Sequence, residues 1–215
     1  MADLATLAQS IIDGMADAAA QLTAGALSES LPPARVLDDG LLAGMRVVGL
    51  RFRDGQMFLP DVLASARAMK AAMVLLEPVL SASGVEPVGT VLLGTVKGDI
   101  HDIGKNLVAV MLRGAGCRII DLGTNVTDQQ FVAAAAQHRP DIIGMSALLT
   151  TTMVQMKRNV ETLRAAGALV SARVMVGGAA VTRQFAESIG TIYAKDASEA
   201  VSTALAMLQP KEVRA

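Results

Sequence analysis

The hydrophobic residues of this chain follow two different spacings, one on each side of residues 82–88. Before this stretch, apolar residues recur with the spacing of one face of an amphipathic helix. Helices are predicted over about residues 3–24 and 37–51, separated by Pro32-Pro33. A further helix carries Pro60 in its first turn, and its predicted buried stripe comprises Val62, Ala66, Met69, Met73 and Leu76.

After residue 88, short apolar runs typical of buried strands alternate with helical segments. This alternation predicts a parallel sheet with right-handed crossovers. We therefore predict an α + α/β fold, with a helical bundle cap over residues 1–84 followed by a Rossmann-like, flavodoxin-type domain over residues 88–215. The five predicted strands lie near residues 88–96, 117–122, 141–146, 172–176 and 191–194, and a last helix lies near 197–208.

The composition is that of a compact globular protein. With 215 residues, 52% of them hydrophobic, and a net charge of −1, the chain can bury a core and has no excess positive charge for nucleic acid or an anionic membrane. We see no apolar run of about 18 residues and no signal peptide. The single cysteine, Cys117, is predicted to be a core residue, and a cytoplasmic location is expected.

The candidate chemistry lies in the turn after the first predicted strand. His101, one of two histidines, stands there between Gly98 and Gly104, just before a helix predicted from Ile103 to Leu112. Ligands bind at this edge of open α/β sheets, and an imidazole there can bind a metal if a carboxylate fixes its other nitrogen. Asp99 and Asp102 are both near enough in sequence to do so.

Two other interpretations of this turn are possible. His101 could be an ordinary turn residue whose hydrogen bonds are satisfied locally. A phosphate-binding loop is disfavoured, because five residues separate Gly98 from Gly104 and Asn106 stands where a magnesium-binding Ser or Thr is needed.

Three motifs resemble those of the cobalamin-binding corrinoid proteins of methyl transfer. They occur in the family's order, each at the end of a predicted strand: Asp99-Ile100-His101-Asp102-Ile103-Gly104, Ser146-Ala147-Leu148 and Gly177-Gly178-Ala179. The N-terminal segments Gly44–Gly49, Met57–Asp61, Ser65–Lys70 and Leu76–Pro78 look like the helical cap module of cobalamin-dependent methionine synthase. The resemblance covers essentially the whole chain.

The resemblance implies a cofactor, cobalamin, which cycles between methylcobalamin and cob(I)alamin. His101 is then the axial cobalt ligand in place of the dimethylbenzimidazole of the nucleotide tail. Asp99 accepts a hydrogen bond from the other ring nitrogen of His101. Thr152, six residues after Ser146, supplies the hydroxyl that completes a relay, where methionine synthase has Ser.

The remaining site residues are implied in the same way. Phe52 and Leu59 match cap positions that lie over the upper corrin face and shield the methyl group. Taken alone, Gly177-Gly178 could be a plain turn and Thr150-Thr151-Thr152 a helix cap. The implied cofactor-binding residues of the second domain are Gly98, Asp99, Ile100, His101, Asp102, Gly104, Ser146, Leu148, Thr150, Gly177, Gly178 and Ala179.

The function implied is that of a corrinoid carrier. Such a protein accepts a methyl group from a substrate-specific corrinoid methyltransferase and passes it to a second methyltransferase that serves a folate or thiol. A reductive activator is a further implied partner, and the chain alone is not expected to act on the methyl donor. Two alternatives remain: a cobalamin-dependent sensor, which normally carries a DNA-binding or signalling element, and a radical mutase small subunit, which lacks the cap.

Overall fold

The computed structural model describes residues 3–208, which fall into two compact units. The first unit extends to Pro87 and includes Arg113–Gly116. The second takes Val88–Leu112 and the chain from Cys117 onward.

The first unit is helical, as the hydrophobic spacing predicts. Its core is formed by apolar side chains such as Leu7, Ile11, Val48 and Leu76, all fully buried. Its elements are α1 (Leu4–Ile12), α2 (Ala16–Ser28), α3 (Pro33–Arg35), a π-helical segment (Val36–Leu42), α4 (Ala43–Arg53) and α5 (Leu59–Ala82).

The prediction of one helix over residues 3–24 is wrong, because the chain turns at Gly14. This glycine has a φ of +68°, a backbone conformation that residues other than glycine rarely adopt. The N–H of Met15 donates a hydrogen bond to the carbonyl of Ser10, which ends the helix. A Cβ at Gly14 would lie 2.6 Å from the Cβ of Ala64 on α5. The helix therefore ends where α5 approaches the backbone closely, and α2 starts afresh and runs on to Ser28.

The helix predicted over residues 37–51 is longer than expected. Helical structure begins at Pro33 and continues without interruption to Arg53. Proline is well suited to the first turn of a helix, where its missing N–H has no intrahelical partner. Of the two prolines, Pro32 lies between the helices, whereas Pro33 is the first residue of the second one.

Helix α5 has Pro60 in its first turn, as predicted, but its buried stripe is shifted. Ala66 and Met73 of the predicted stripe are only half-buried. Ser65 takes one of the buried positions because its hydroxyl bonds to the carbonyl of Ile12 in the neighbouring helix. The buried positions of α5 are Val62, Ser65, Ala68, Met69, Ala72, Leu76 and Leu80.

The second unit contains the five-stranded parallel sheet that the sequence predicts. The strands are arranged in the order β2-β1-β3-β4-β5, the flavodoxin-type order. Each observed strand lies within one or two residues of its predicted bounds: β1 (Thr90–Thr95), β2 (Arg118–Asp121), β3 (Ile142–Ser146), β4 (Arg173–Gly177) and β5 (Ile192–Tyr193).

Both faces of the sheet are covered, which explains the continuous apolar runs. Leu92 and Ile143 pack with Phe131 on one face, whereas the alternate residues Val91 and Ile142 belong to the core of the other face. The helices are α6 (Ile103–Gly114), α7 (Asp128–His138), α8 (Thr150–Ala165), α9 (Arg183–Ser188) and α10 (Ala197–Leu208), with a 3₁₀ turn at Ala168–Val170.

The strand order places the site. Strand β1 pairs with both β2 and β3, so the chain leaves β1 and β3 toward opposite sides of the sheet. The loops after these two strands flank a crevice at the carboxyl edge, where ligands bind in sheets of this kind. Between residues 3 and 208, none of the helices combines the length and apolar character that crossing a bilayer requires.

We predict that Gly14→Ala destabilises the protein by about 2–4 kcal/mol, because it combines a left-handed backbone with overlap against Ala64. Gly25→Ala is the matched control: a Cβ at this α2 position meets no atom within 4 Å and should stabilise slightly. Urea unfolding followed by circular dichroism measures both, since the chain has no tryptophan. Equal stability of the two variants would contradict this account of the turn.

Candidate functional site

The loop after β1 carries His101 and is held by hydrogen bonds from neighbouring elements. The hydroxyl of Thr95, the last residue of β1, donates to the carbonyl of His101 at 3.1 Å. Asn125 accepts from the N–H of Gly98 at 2.8 Å and donates its own N–H to the carbonyl of Asp99 at 2.9 Å. Asn125, which has a positive φ of 54°, is not among the predicted site residues, because it contacts the histidine loop from a loop that is distant in sequence.

Asp99 is the centre of the hydrogen-bond network and is fully buried. Its Oδ1 lies 2.7 Å from Nδ1 of His101 and accepts the backbone N–H of His101 at 3.1 Å. Its Oδ2 accepts the hydroxyl of Thr152 at 2.6 Å and the N–H of Leu148 at 2.8 Å. The structure thus brings together the three residues predicted to form the relay.

These contacts decide the ionisation of Asp99. Burial alone opposes ionisation, because the charged form loses hydration. The hydrogen bonds that the carboxylate accepts, led by the one from Thr152, outweigh burial and hold the pKa of Asp99 well below its ordinary value. Asp99 is therefore a carboxylate at neutral pH.

The imidazole of His101 is half-exposed, with 46% of its side-chain surface accessible. Because Asp99 is ionised, Nδ1 carries the proton of this contact and Nε2 is the ring nitrogen left for a ligand. The large side chains of Ile100 and Ile103 are exposed on either side of it in sequence, and Leu148 and Leu149 are also exposed. Apolar side chains of the loops after β1 and β3 are therefore exposed at the same edge of the sheet as the imidazole.

Asp102, the other carboxylate considered for this role, points elsewhere. It accepts a hydrogen bond from the side chain of Asn106 at 2.9 Å. Of the two acidic neighbours of His101, Asp99 alone fixes its ring.

The three threonines at the start of α8 do not form a side-chain cap. The N-cap residue is Leu149, and no side chain caps this end. Thr152 is instead buried and contacts Asp99, whereas Thr150 is exposed. Thr150 also does not line the cavity at the carboxyl ends of β1, β3 and β4.

A cavity of about 370 Å³ lies in the second unit at the carboxyl ends of β1, β3 and β4. Its lining includes five of the predicted cofactor-binding residues: Gly104, Ser146, Gly177, Gly178 and Ala179. Gly178 has a φ of +119°, and a Cβ there would lie 2.1 Å from the carbonyl oxygen of Ala147. The close packing of the backbone therefore requires glycine at this position, and both glycines of the pair also line the cavity.

Lys105 also lines this cavity, although the sequence analysis gave it no role. Its side chain is buried, and its ammonium contacts both carboxylate oxygens of Asp121, at the end of β2, and the amide oxygen of Asn106. The burial of Lys105 could not be predicted from the sequence, because a lysine in the first turn of a helix is usually exposed.

Phe52 and Leu59 belong to the first unit. Phe52 lies in the last turn of α4 and Leu59 is the first residue of α5, and both are half-buried. Phe58, between them, is 70% exposed.

We predict that Asp99→Asn lowers the free energy of unfolding at pH 7 by about 2–4 kcal/mol. An amide cannot accept all five of the hydrogen bonds that Asp99 accepts, which include a longer one from the N–H of Leu149 at 3.4 Å. The folded-state pKa is depressed, so ionised Asp99 stabilises the protein above the ordinary carboxyl pKa of about 3.9. This contribution is lost as the pH falls. The deficit of the variant should therefore narrow between pH 5 and pH 3 in urea titrations of the protein without cofactor.

Asp102→Asn is the control for this prediction, because its carboxylate accepts one side-chain hydrogen bond at a half-buried position. Asp102→Asn should change the free energy of unfolding only slightly at every pH from 7 to 3. A deficit of Asp99→Asn that stays constant from pH 7 to pH 3 would contradict the assigned ionisation.

Known proteins match this chain over nearly its whole length. A family model described as a B12 binding domain matches residues 89–204, and a second model of the same description matches residues 4–77. A corrinoid protein of Desulfitobacterium hafniense is 44% identical over 208 residues, which cover 95% of this chain and 96% of that protein. Trimethylamine corrinoid protein 1 of Methanosarcina mazei is 41% identical over 208 residues, with the same two coverages of 95% and 96%.

A solved structure extends the comparison to three dimensions. The crystal structure of the methanol:cobalamin methyltransferase complex from Methanosarcina barkeri contains a chain that matches with a TM-score of 0.87 at 31% identity. The match covers 95% of this chain and 79% of that one. The chain belongs to the family of B12-binding corrinoid proteins.

Proposed function

We propose that this protein is a corrinoid carrier, which binds cobalamin, receives a methyl group from a substrate-specific corrinoid methyltransferase and delivers it to a second methyltransferase. The observation that carries the proposal is the imidazole of His101, fixed by the buried carboxylate of Asp99 beside a cavity at the carboxyl edge of the sheet. The relatives named above support it, since they are corrinoid proteins and a methyltransferase complex by name. None of those three favours the sensor alternative.

The residues of the site fit the cofactor. His101 offers a nitrogen ligand of defined tautomer, which cobalt accepts. The cavity is lined mainly by glycine and apolar side chains, as a flat heterocyclic base requires. A Cβ at Gly104 would meet no protein atom within 4 Å, so the space in front of this residue is open for a ligand.

When bound, cobalamin supplies a cobalt ion that carries the methyl group. The protein's own contribution on the lower side is to hold Nε2 of His101 in one orientation, through the contact of Nδ1 with Asp99. Thr152 and the N–H of Leu148 keep Asp99 ionised and fixed. Ser146 and Gly177–Ala179 line the space proposed for the nucleotide tail.

Further parts of the proposal rest on the resemblance to methionine synthase. We assign Phe52 and Leu59 of the helical unit to shielding the methyl-bearing face, where apolar side chains exclude water and oxidants. We also propose a folate or thiol as the final acceptor and a reductive activator as an additional partner.

A cytoplasmic location is part of the same proposal. Cys117, the single cysteine, is a buried free thiol, as the sequence analysis predicts, and burial raises its pKa to about 11. It is an unreactive core residue, which suits a reducing compartment.

We predict that His101→Ala weakens corrinoid binding by at least about tenfold, because the cobalt loses its protein ligand. Purified protein should be mixed with hydroxocobalamin or methylcobalamin, freed of unbound cofactor and examined by visible spectroscopy. Wild type should retain the corrinoid with the spectrum of a histidine-ligated form whose own base has left cobalt. His101→Ala should lose that spectrum.

The control is His138→Ala, which replaces the chain's other histidine, at the end of α7. It should behave as wild type. If the wild-type protein retained no corrinoid, in either the oxidised or the reduced state, the proposed function would be refuted.

Thr152 can be tested separately with two variants. Thr152→Val removes the hydroxyl that Asp99 accepts, and we expect it to weaken corrinoid binding about three- to tenfold and to lower the histidine-ligated fraction. Thr152→Ser keeps the hydroxyl and should restore both. If Ser were as damaging as Val, the methyl group of Thr152 would matter rather than its hydrogen bond.

A further inference from the structure

Two lysines line the cavity within the part of the chain that the structure describes, and they differ in what their ammonium groups contact. Lys105 approaches from the first turn of α6, and Lys195 from the segment between β5 and α10. The difference matters because cobalamin carries one phosphodiester, in the tail that links the corrin ring to its lower base.

All three N–H donors of the Lys105 ammonium are used by neighbouring side chains. Its side chain is 3% exposed, and its ammonium lies 2.6 Å and 2.5 Å from the two carboxylate oxygens of Asp121. The third donor is directed to the amide oxygen of Asn106 at 2.8 Å. Pairing Lys105 with a ligand would break a buried ion pair, which is strongly unfavourable.

Lys195 is in the opposite situation. Its side chain is 73% exposed, and among residues 3–208 its ammonium has one carboxylate partner, Asp196 at 3.8 Å. The other acidic group nearby, Glu199, is engaged: its oxygens accept the backbone N–H of Lys195 at 2.7 Å and Arg183 at 3.2 Å. The ammonium of Lys195 therefore keeps donors for a ligand.

We propose that Lys195 binds the phosphodiester of the cobalamin nucleotide tail at the mouth of the cavity, while the neutralised Lys105–Asp121 pair leaves the interior to an uncharged base. This assignment rests on the proposed function. Asp196 also lines the cavity, and its charge opposes the phosphodiester. Its Oδ1 accepts the N–H of Glu199 at the start of α10. Because the charge of Asp196 partly offsets that of Lys195, we expect Lys195 to strengthen cobalamin binding only moderately.

The test compares two corrinoids, cobalamin and cobinamide, which keeps the corrin ring and lacks both the phosphodiester and the lower base. Dissociation constants for the full-length protein are measured by visible titration. Lys195→Gln should weaken cobalamin binding about fivefold, as expected for an exposed ion pair, and leave cobinamide binding unchanged. Raising the salt concentration should narrow the difference between wild type and variant for cobalamin.

Lys157→Gln is the matched control, because this exposed lysine of α8 lies outside the cavity. It should bind both corrinoids as wild type does. An equal loss of both corrinoids in Lys195→Gln, or no loss of cobalamin, would overturn the assignment. Wild type that binds neither corrinoid would instead overturn the proposed function, so the two failures are distinguishable.

Discussion

The second unit depends on one buried charge, the carboxylate of Asp99. A buried carboxylate is tolerated only when its lone pairs are satisfied. Here the donors come from the histidine loop itself and from Leu148 and Thr152, about 50 residues further along the chain. The requirement to satisfy Asp99 therefore fixes the loop after β1, the start of α8 and the orientation of the His101 ring together.

The parallel sheet makes this convergence possible. Strands β1 and β3 are neighbours and end at the same edge, so residues that follow them meet although they are distant in sequence. Glycine at position 178 allows the backbone after β4 to pass close to Ala147 and leaves the cavity open beside it. The fold thus supplies a fixed imidazole nitrogen and an apolar cavity at the same edge of the sheet, the two features that the proposed binding of a corrinoid with a displaced base needs.

The elements with local signatures could be predicted from the sequence. The features that depend on contacts between distant residues could not. Five apolar runs marked the strands, and the glycine-bracketed turn marked His101. The break at Gly14 escaped notice because its cause is the close approach of Ala64 from another helix. Lys105 was given no role because its partner, Asp121, lies at the end of another strand. Such contacts follow from tertiary packing, which local periodicity does not encode.

Electron paramagnetic resonance of the cobalt(II) corrinoid bound to protein containing ¹⁵N-histidine tests the central claim most directly. If His101 is the axial ligand, the nitrogen splitting changes from a triplet to a doublet on labelling. The chain has two histidines, and the same doublet should persist in labelled His138→Ala. A triplet unaffected by labelling would show that the cofactor's own base, and not His101, holds the cobalt, and would contradict the account.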